Sequence, residues 1–461
     1  MTQAARQPAS EVVASLRDLI RGEVVDPDHS DYEDARQVFN AAVNGRPAAI
    51  VRAADADDVA AAVKVAGEHG LAVAARGGRH SFAGLSAGHG AVVIDTRALD
   101  SIELDPESRT AWAGAGVLAG DYTKLAGEHG LATGFGDTGE VGITGLTLGG
   151  GLGYLARKHG MTIDDLLAVE LVTADGELVV ADEERHPDLF WALRGGGGNF
   201  GVVTRLRYRL HELPAAYGGM LMLPGSPEIL RRFIEVADEA PEELTTIAMA
   251  ALAPPAPFVP AEHHGQPALM VMLMYAGDPE AGEAAVKPLR ELATPWVEMV
   301  KPMRYPEIYE LGGEGPPRGA VAVRTRLADE LSDEQLEAIY AHQQENQAPG
   351  MAGFQLRVLR GALARVPADA TAYAHRAQRL MLGTVAITPG TSDDSAAEAW
   401  VESFAGRVGL AEGPAYVNYL GADAQSRLAD AYPDPTLARL REVKRRYDPD
   451  NRFRWNVNIE P

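Results

Sequence analysis

The period of the apolar pattern changes several times along the chain, and each change predicts an element. Residues 11–45 carry Tyr32, Ala35 and Phe39 at spacings of three and four, which predicts helix. From Ala48 the pattern shortens: an apolar run Ala48–Arg52, an acid-initiated stretch Asp55–His69 and a second apolar run Leu71–Ala75 predict a strand–helix–strand unit. Ala91–Asp95, Ser101–Leu104 and Thr110–Gly114 predict a meander. Leu166–Thr173 and Glu177–Val180 flank Asp175-Gly176, a hairpin-turn signal. A helix over His186–Leu193 is followed by a glycine loop and a strand to Leu210. The heptapeptide AGEHGLA occurs at 66–72 and again at 126–132. Each copy predicts a helix end, with a glycine taking the left-handed cap and a histidine complementing the helix dipole. His159-Gly160 repeats the device, so His69, His129 and His159 are structural in this reading.

Beyond Pro214 glycine thins out and long apolar strands appear, as in Ala268–Tyr275. Helices over Asp278–Leu292 and Ser332–Gln344 predict an antiparallel sheet covered on one face. Pro254–Pro260 and Glu310–Pro317 are predicted loops. The expected division is 1–213, with a core of about 43–213, then 214–410, then a C-terminal segment 411–461.

Composition narrows the partners. The chain of 461 residues has a formal charge of −23, which repels nucleic acid and anionic membranes. It has no cysteine, so disulfides and thiolate metal sites are excluded. Without a signal-like apolar core or a run long enough to span a bilayer, a cytoplasmic protein acting on small molecules is expected, as monomer or homodimer and with no metal.

Three glycine-rich stretches carry the candidate chemistry. In ARGGRHSFAG (75–84), Gly77, Gly78 and Gly84 surround His80, with Arg76 and Arg79 adding positive charge, a pattern suited to cradling an anion. The stretch 136–153, GDTGEVGITGLTLGGGLG, is too poor in side chains to pack an ordinary core and makes sense where backbone approaches a flat ligand. The third is WALRGGGGNFGVVT (191–204). A further string, Gly114-Ala-Gly116-Val-Leu-Ala119, mimics a dinucleotide fingerprint, but its would-be ribose acid, Asp137, lies in a glycine loop rather than at a strand end, so a tight strand-to-helix turn is the preferred reading.

These stretches, with Pro414-Ala-Tyr-Val-Asn-Tyr-Leu420 and the tail Asn456-Val-Asn-Ile459, resemble the berberine-bridge-like branch of the vanillyl-alcohol-oxidase flavoprotein family. The resemblance implies an α+β fold: a two-lobed FAD-binding domain of the PCMH type, an antiparallel-sheet substrate cap, and a C-terminal return to the FAD domain. It implies FAD bonded to His80, with Arg79 where the family more commonly has glycine. Thr138 stands where many members have a second attaching cysteine, so the attachment is expected to be single. The cofactor-binding residues it implies are Arg76, Gly77, Gly78, Arg79, His80, Ser81 and Gly84; Thr138, Gly139, Gly142, Thr144, Gly145, Gly149, Gly150 and Gly153; Gly201, Val202 and Val203 along the adenosine or ribityl part; and Asn456 and Asn458 near the far end of the ring. The Gly149–Gly151 run is expected to touch the cofactor through its backbone. Thr371–Arg376 resembles a family strand, with His375 and Arg376 structural.

For catalysis, Tyr416 is the expected group nearest the reacting hydroxyl, sharing a strand face with Asn418, while Tyr419 points the opposite way. Gln355 and Arg357 share one face of the strand Phe354–Arg360 and are the alternative. The expected function is oxidation of an alcohol, sugar lactol or polyketide-like hydroxyl compound, with hydride passing to FAD and O2 becoming H2O2. A flavoprotein that sequesters a ligand with little turnover, and a nicotinamide-dependent dehydrogenase, are the competing readings.

Overall fold

The computed structural model describes residues 3–312, 318–346 and 348–461. Three sheets position the site. The first has the spatial order Glu23–Val25, Ala49–Arg52, Val92–Asp95, Val73–Arg76, with the last three strands parallel. The helix Ala56–Glu68 connects two of them and is capped by Asp55, whose carboxylate accepts from the Asp57 and Asp58 N–H groups. The second sheet runs Ile102–Asp105, Thr110–Gly114, Val202–Arg209, Leu166–Val172, Leu178–Ala181 and is antiparallel throughout. Side chains on Val202–Arg209 alternate between two cores: Val202 packs in the one under the first sheet and Val203 in the larger one under the second.

The third sheet is antiparallel and eight-stranded. Its central path is Ala216–Pro224, Pro267–Tyr275, Leu244–Leu252, Met351–Val358, Leu380–Pro389, Gly319–Ala328. The helices Pro227–Glu239, Pro279–Arg290, Asp333–Glu345 and Ser395–Val408 cover one face and share a core with it. The whole is an α+β fold, as the pattern predicts.

The two copies of AGEHGLA adopt the same ending. His69 and His129 cap their helices at φ −98° in both cases, and Gly70 and Gly130 follow at φ 65° and 66°. His159 precedes Gly160 at φ 97° but also stacks on His211 at 3.8 Å, and burial pushes its pKa down to about 3. Gly114 and Gly116 press against the carbonyls of Leu99, Thr96 and Arg97, so they tighten a turn, as the reading against a dinucleotide fingerprint requires.

Three expectations need correction. Residues 11–45 are not one helical region: a helix Gln3–Leu19, a strand Glu23–Val25 and a single turn Tyr32–Ala35 replace it, because Glu23–Val25 finds a partner in Ala49–Arg52 that local periodicity cannot reveal. Thr371–Arg376 forms no strand; Arg376 instead makes a two-point ion pair with Asp164. Val92–Asp95 belongs to the first sheet, so the predicted meander is only a two-stranded hairpin. Of the predicted loop 310–317, residues 313–317 lie outside the described residues. Among the described residues no helix is long and apolar enough to cross a membrane.

The C-terminal segment returns to the first two sheets. The Asn199 amide donates to Val457 O and its Oδ1 accepts from Ile459 N, while Val73 N donates to Arg452 O. A fully buried ion pair, Lys444–Asp448 at 2.7 Å, locks this return, because Lys444 Nζ also donates to Asn199 O. Breaking a buried pair leaves an uncompensated charge, so Lys444→Met should lower unfolding free energy by about 3–5 kcal/mol in urea denaturation. A loss under ~1 kcal/mol would show that water reaches Asp448 and that the pair does not hold the return.

Candidate functional site

The loop after Val73–Arg76 is braced from below. Arg76 is fully buried and its guanidinium donates to the Ser86 and Ala35 carbonyls. Burial pushes its pKa down to about 10. Arg76 therefore does not line an anion cradle, contrary to expectation: its donors are spent on carbonyls inside the lobe. Arg79 sits at φ 65°, the left-handed region that costs a non-glycine residue free energy and explains why glycine suits this position. Its carbonyl accepts from Phe39 N, and Phe39 in turn stacks on the His80 ring at 5.0 Å. His80 is half-buried, and that burial lowers its pKa, with Arg79 reinforcing the shift and Glu140 opposing it. The imidazole is thus neutral near pH 7, the state a nitrogen nucleophile requires. Ser81 and Gly84 close the loop, Gly84 N donating to Ser81 O.

Gly78 and Gly142 face each other, and a Cβ on Gly78 would lie 2.9 Å from Gly142 Cα. The His80 loop and the second glycine stretch therefore meet backbone to backbone. Gly142 precedes the helix Ile143–Gly149, where Thr144 Oγ1 donates to Ala115 O and a Cβ on Gly145 would meet nothing within 4 Å. Gly139 lies under Tyr309, whose Cβ would be 3.4 Å from a Cβ on Gly139, and Thr138 Oγ1 donates to Asp137 Oδ1.

The Gly149–Gly151 run is closely packed by neighbouring side chains. A Cβ on Gly149 would overlap the Asn418 amide, one on Gly150 would meet Met161 Cε at 2.5 Å and the Tyr416 ring at 3.0 Å, and one on Gly151 would overlap Thr162. Gly150 and Gly151 also hold φ 140° and 82°. Side chains are excluded there by Asn418 and Tyr416 of the C-terminal segment and by Met161 and Thr162 of the following turn, and Gly153 is similarly pressed on Phe135 O. The side chains of Val202 and Val203 are buried in the two cores, and Gly201 is packed on Val172 O and Leu171.

Tyr416, Asn418 and Tyr419 are not on a strand. Val417–Tyr419 is a 3-10 turn, whose period of three brings Tyr416 and Tyr419 to the same side, rings 5.7 Å apart and stacked. Tyr416 Oη accepts from Gly151 N at 2.7 Å and from Asn418 Nδ2 at 2.9 Å. Tyr419 Oη accepts from Arg357 Nη2 at 2.5 Å. Burial raises both phenols, Tyr416 to about 12, while those donors and Arg357 pull it back. Arg357 is itself buried; it donates to Asp137 Oδ2, to Gln355 Oε1 and to Leu152 O.

The structure thus brings Tyr416, Gln355 and Arg357 together, and adds Asp137 and Tyr419, which sequence reasoning missed. The signal for Tyr419 was its spacing of three from Tyr416. Asp137 offered only its place in a glycine loop. Asn456 lies against Gly198, and Asn458 has a buried Oδ1 without a partner. A neutral histidine between facing glycine loops, free space over Gly145 and an unpartnered amide oxygen fit a flavin, whose ring edge carries both donors and acceptors.

These features define an FAD-binding oxidoreductase. A family model described as an FAD binding domain matches residues 47–182, and one described as berberine and berberine like matches 415–460. The chain is 29% identical over 456 residues to (R)-6-hydroxynicotine oxidase of Paenarthrobacter nicotinovorans, covering 96% of this chain and 97% of that one. It is 26% identical to a xylooligosaccharide oxidase of Thermothelomyces thermophilus, covering 94% and 91%. The crystal structure of 6-hydroxy-D-nicotine oxidase from Arthrobacter nicotinovorans superposes with a TM-score of 0.86 at 28% identity over 96% of this chain and 98% of that one. The berberine bridge enzyme of Eschscholzia californica shares the fold at the same TM-score and 20% identity. These likenesses support a berberine-bridge-like FAD-linked oxidase.

Gly150→Val combines a β-branched residue at φ 140° with overlap on Met161 and Tyr416. It should cost about 2–5 kcal/mol and displace Tyr416. Urea denaturation checks the first part and a crystal structure of the variant the second; parental stability would contradict both.

Proposed function

We propose that the protein is an oxidase of hydroxyl-bearing small molecules that carries FAD bonded singly through His80 and releases hydrogen peroxide. The observation that carries this reading is the pair of phenols, Tyr416 and Tyr419, whose oxygens accept hydrogen bonds only from N–H donors. Bound FAD supplies the hydride acceptor and passes the electrons to O2. His80 is the residue that would hold it, through a neutral ring nitrogen, and Asn458 the one whose free amide oxygen would meet the ring edge. The reading assigns 1–213 and 411–461 to the cofactor and 214–410 to the substrate.

Tyr416 takes the substrate hydroxyl proton in this reading. Two N–H donors already point at its oxygen and stabilise negative charge there, as an oxyanion pocket does. Its remaining lone-pair direction is the one that receives a proton. Arg357 does the same for Tyr419, and Asp137 prevents the guanidinium from standing as an unpaired buried charge. Gln355, half-exposed, orients the substrate from the cap side and is itself held by Arg357.

Two measurements test this. His80→Ala should release flavin on acid precipitation, whereas the parent keeps it in the pellet. Flavin lost from the parent would end the single-attachment reading. Tyr416→Phe should slow anaerobic flavin reduction about 10²–10⁴-fold with the spectrum unchanged. Because burial places the Tyr416 pKa near about 12, the fraction able to accept a proton grows with pH throughout the working range. Reduction by the parent should therefore accelerate from pH 7 to 10 without a plateau, and the Phe variant should lose that rise. A flat parental profile would move the proton acceptor elsewhere.

A further inference from the structure

Tyr416 has two supports that are far apart in sequence. Its hydroxyl accepts from Gly151 N at 2.7 Å, and the Tyr373 ring meets its ring edge to face, 5.7 Å away at 89°. The Gly150–Gly151 turn is itself held from the other side, where Thr162 N donates to Gly151 O and Ile163 N to Gly150 O, each at 3.0 Å. Both donors belong to the 3-10 turn Thr162–Asp164, whose entry is closed by the Asp164 carboxylate accepting from Met161 N at 2.8 Å. Asp164 thus fixes the turn that fixes the glycines.

Arg376 grips both supports at once. Its Nη1 and Nη2 donate to the two oxygens of Asp164, each at 2.8 Å. Its Nε donates to Tyr373 O, its Nη2 also donates to Thr371 Oγ1, and its guanidinium lies 5.3 Å from the centroid of the Tyr373 ring. The pair is buried, with side-chain exposures of 2% and 10%. A planar guanidinium held at two points by one carboxylate has a single orientation, whereas an ammonium in its place would pivot.

We propose that the Arg376–Asp164 pair positions the active-site phenol, by holding the Gly151 N–H and the Tyr373 ring in the arrangement that fixes the Tyr416 hydroxyl. The role of Tyr416 as proton acceptor rests on the oxidase reading; its positioning by the pair does not. Neither residue of the pair touches the reacting atoms. A buried ion pair is a weak source of stability but strict about geometry, and a misplacement of about 1 Å at a reacting group can cost about 10²-fold in rate.

A double-mutant cycle in urea denaturation reads the positioning without any substrate. Tyr416→Phe strands Gly151 N and lowers the midpoint. Arg376→Lys keeps a cation beside Asp164 but loses the two-point grip, so the hydroxyl is already displaced. Tyr416→Phe in that background should lower the midpoint by less than half as much as it does in the parent. Equal shifts in the two backgrounds overturn the proposal. If Arg376→Lys does not fold, Tyr373→Leu takes its place in the cycle with the same expectation. Tyr373→Phe is its control, because it keeps the ring and removes a hydroxyl that has no partner. In anaerobic flavin reduction, Arg376→Lys should slow the rate by up to about 10²-fold and lose the alkaline rise, as Tyr416→Phe does. A slower rate that keeps the full rise also overturns the proposal, since a merely structural loss lowers the rate equally at every pH. Additive shifts together with slow reduction by Tyr416→Phe would remove the pair and keep Tyr416 as proton acceptor. Coupled shifts together with parental reduction by Tyr416→Phe would keep the pair and end the proton-acceptor reading.

Discussion

The site depends on the closeness with which the Gly149–Gly151 turn approaches the Tyr416–Tyr419 turn, 265 residues later in the chain. A Cβ on Gly149 would collide with Asn418 and one on Gly150 with Tyr416 and Met161, while one on Gly151 would collide with Thr162. Removing the side chains lets Gly151 N reach the Tyr416 hydroxyl and lets Asn418 donate both to that hydroxyl and to Leu146 O. A buried N–H left without a partner costs about 1–3 kcal/mol, so the contact both satisfies the glycine backbone and fixes the phenol. Tyr416 and the loop below it are therefore one structural unit.

Buried charge is organised in the same spirit. The surface carries the excess of acid, while the interior ion pairs Arg357–Asp137, Arg376–Asp164 and Lys444–Asp448 each join segments that are distant in sequence or close the C-terminal return. Arg157 and Lys158 do the equivalent with neutral acceptors, donating to the carbonyls of Ala240 and Ala276 on the cap. A charge taken out of water is tolerated only with its partners in place, so such contacts are weak sources of stability but strict about register. The seam between the third sheet and the rest of the fold is held by groups that reward one arrangement.

What could be read beforehand follows from how local each signal is. The helix ends at His69-Gly70 and His129-Gly130 rest on four or five neighbouring residues, and the two copies match to within a degree in φ. The glycine loops, His80 and the return of 456–459 were legible because each motif is contiguous. Glu23–Val25 was lost in a helical pattern because its strand identity is conferred by Ala49–Arg52. Tyr419 was assigned to the wrong side because a period of two was assumed where the chain makes a turn of period three. Asp137 acquires its role only when Arg357, 220 residues away, is folded against it.

The strand Ala268–Tyr275 shows the same dependence on register. Its residues are apolar at every position, which by itself reads as a strand buried on both faces. In the fold, Leu269, Val271 and Leu273 are fully buried under helices, while Met270 and Met272 on the other face remain half-exposed. Branched side chains with few rotamers fill the helix-covered face, and unbranched methionines, which adapt to whatever lies against them, fill the other, in the clusters that also hold Trp296 and Tyr305. The distinction between the two faces is thus already present in the choice among apolar residues. It becomes readable only once register aligns Met272 and Met270, through Ile247 and Met249, with Arg357 and Gln355.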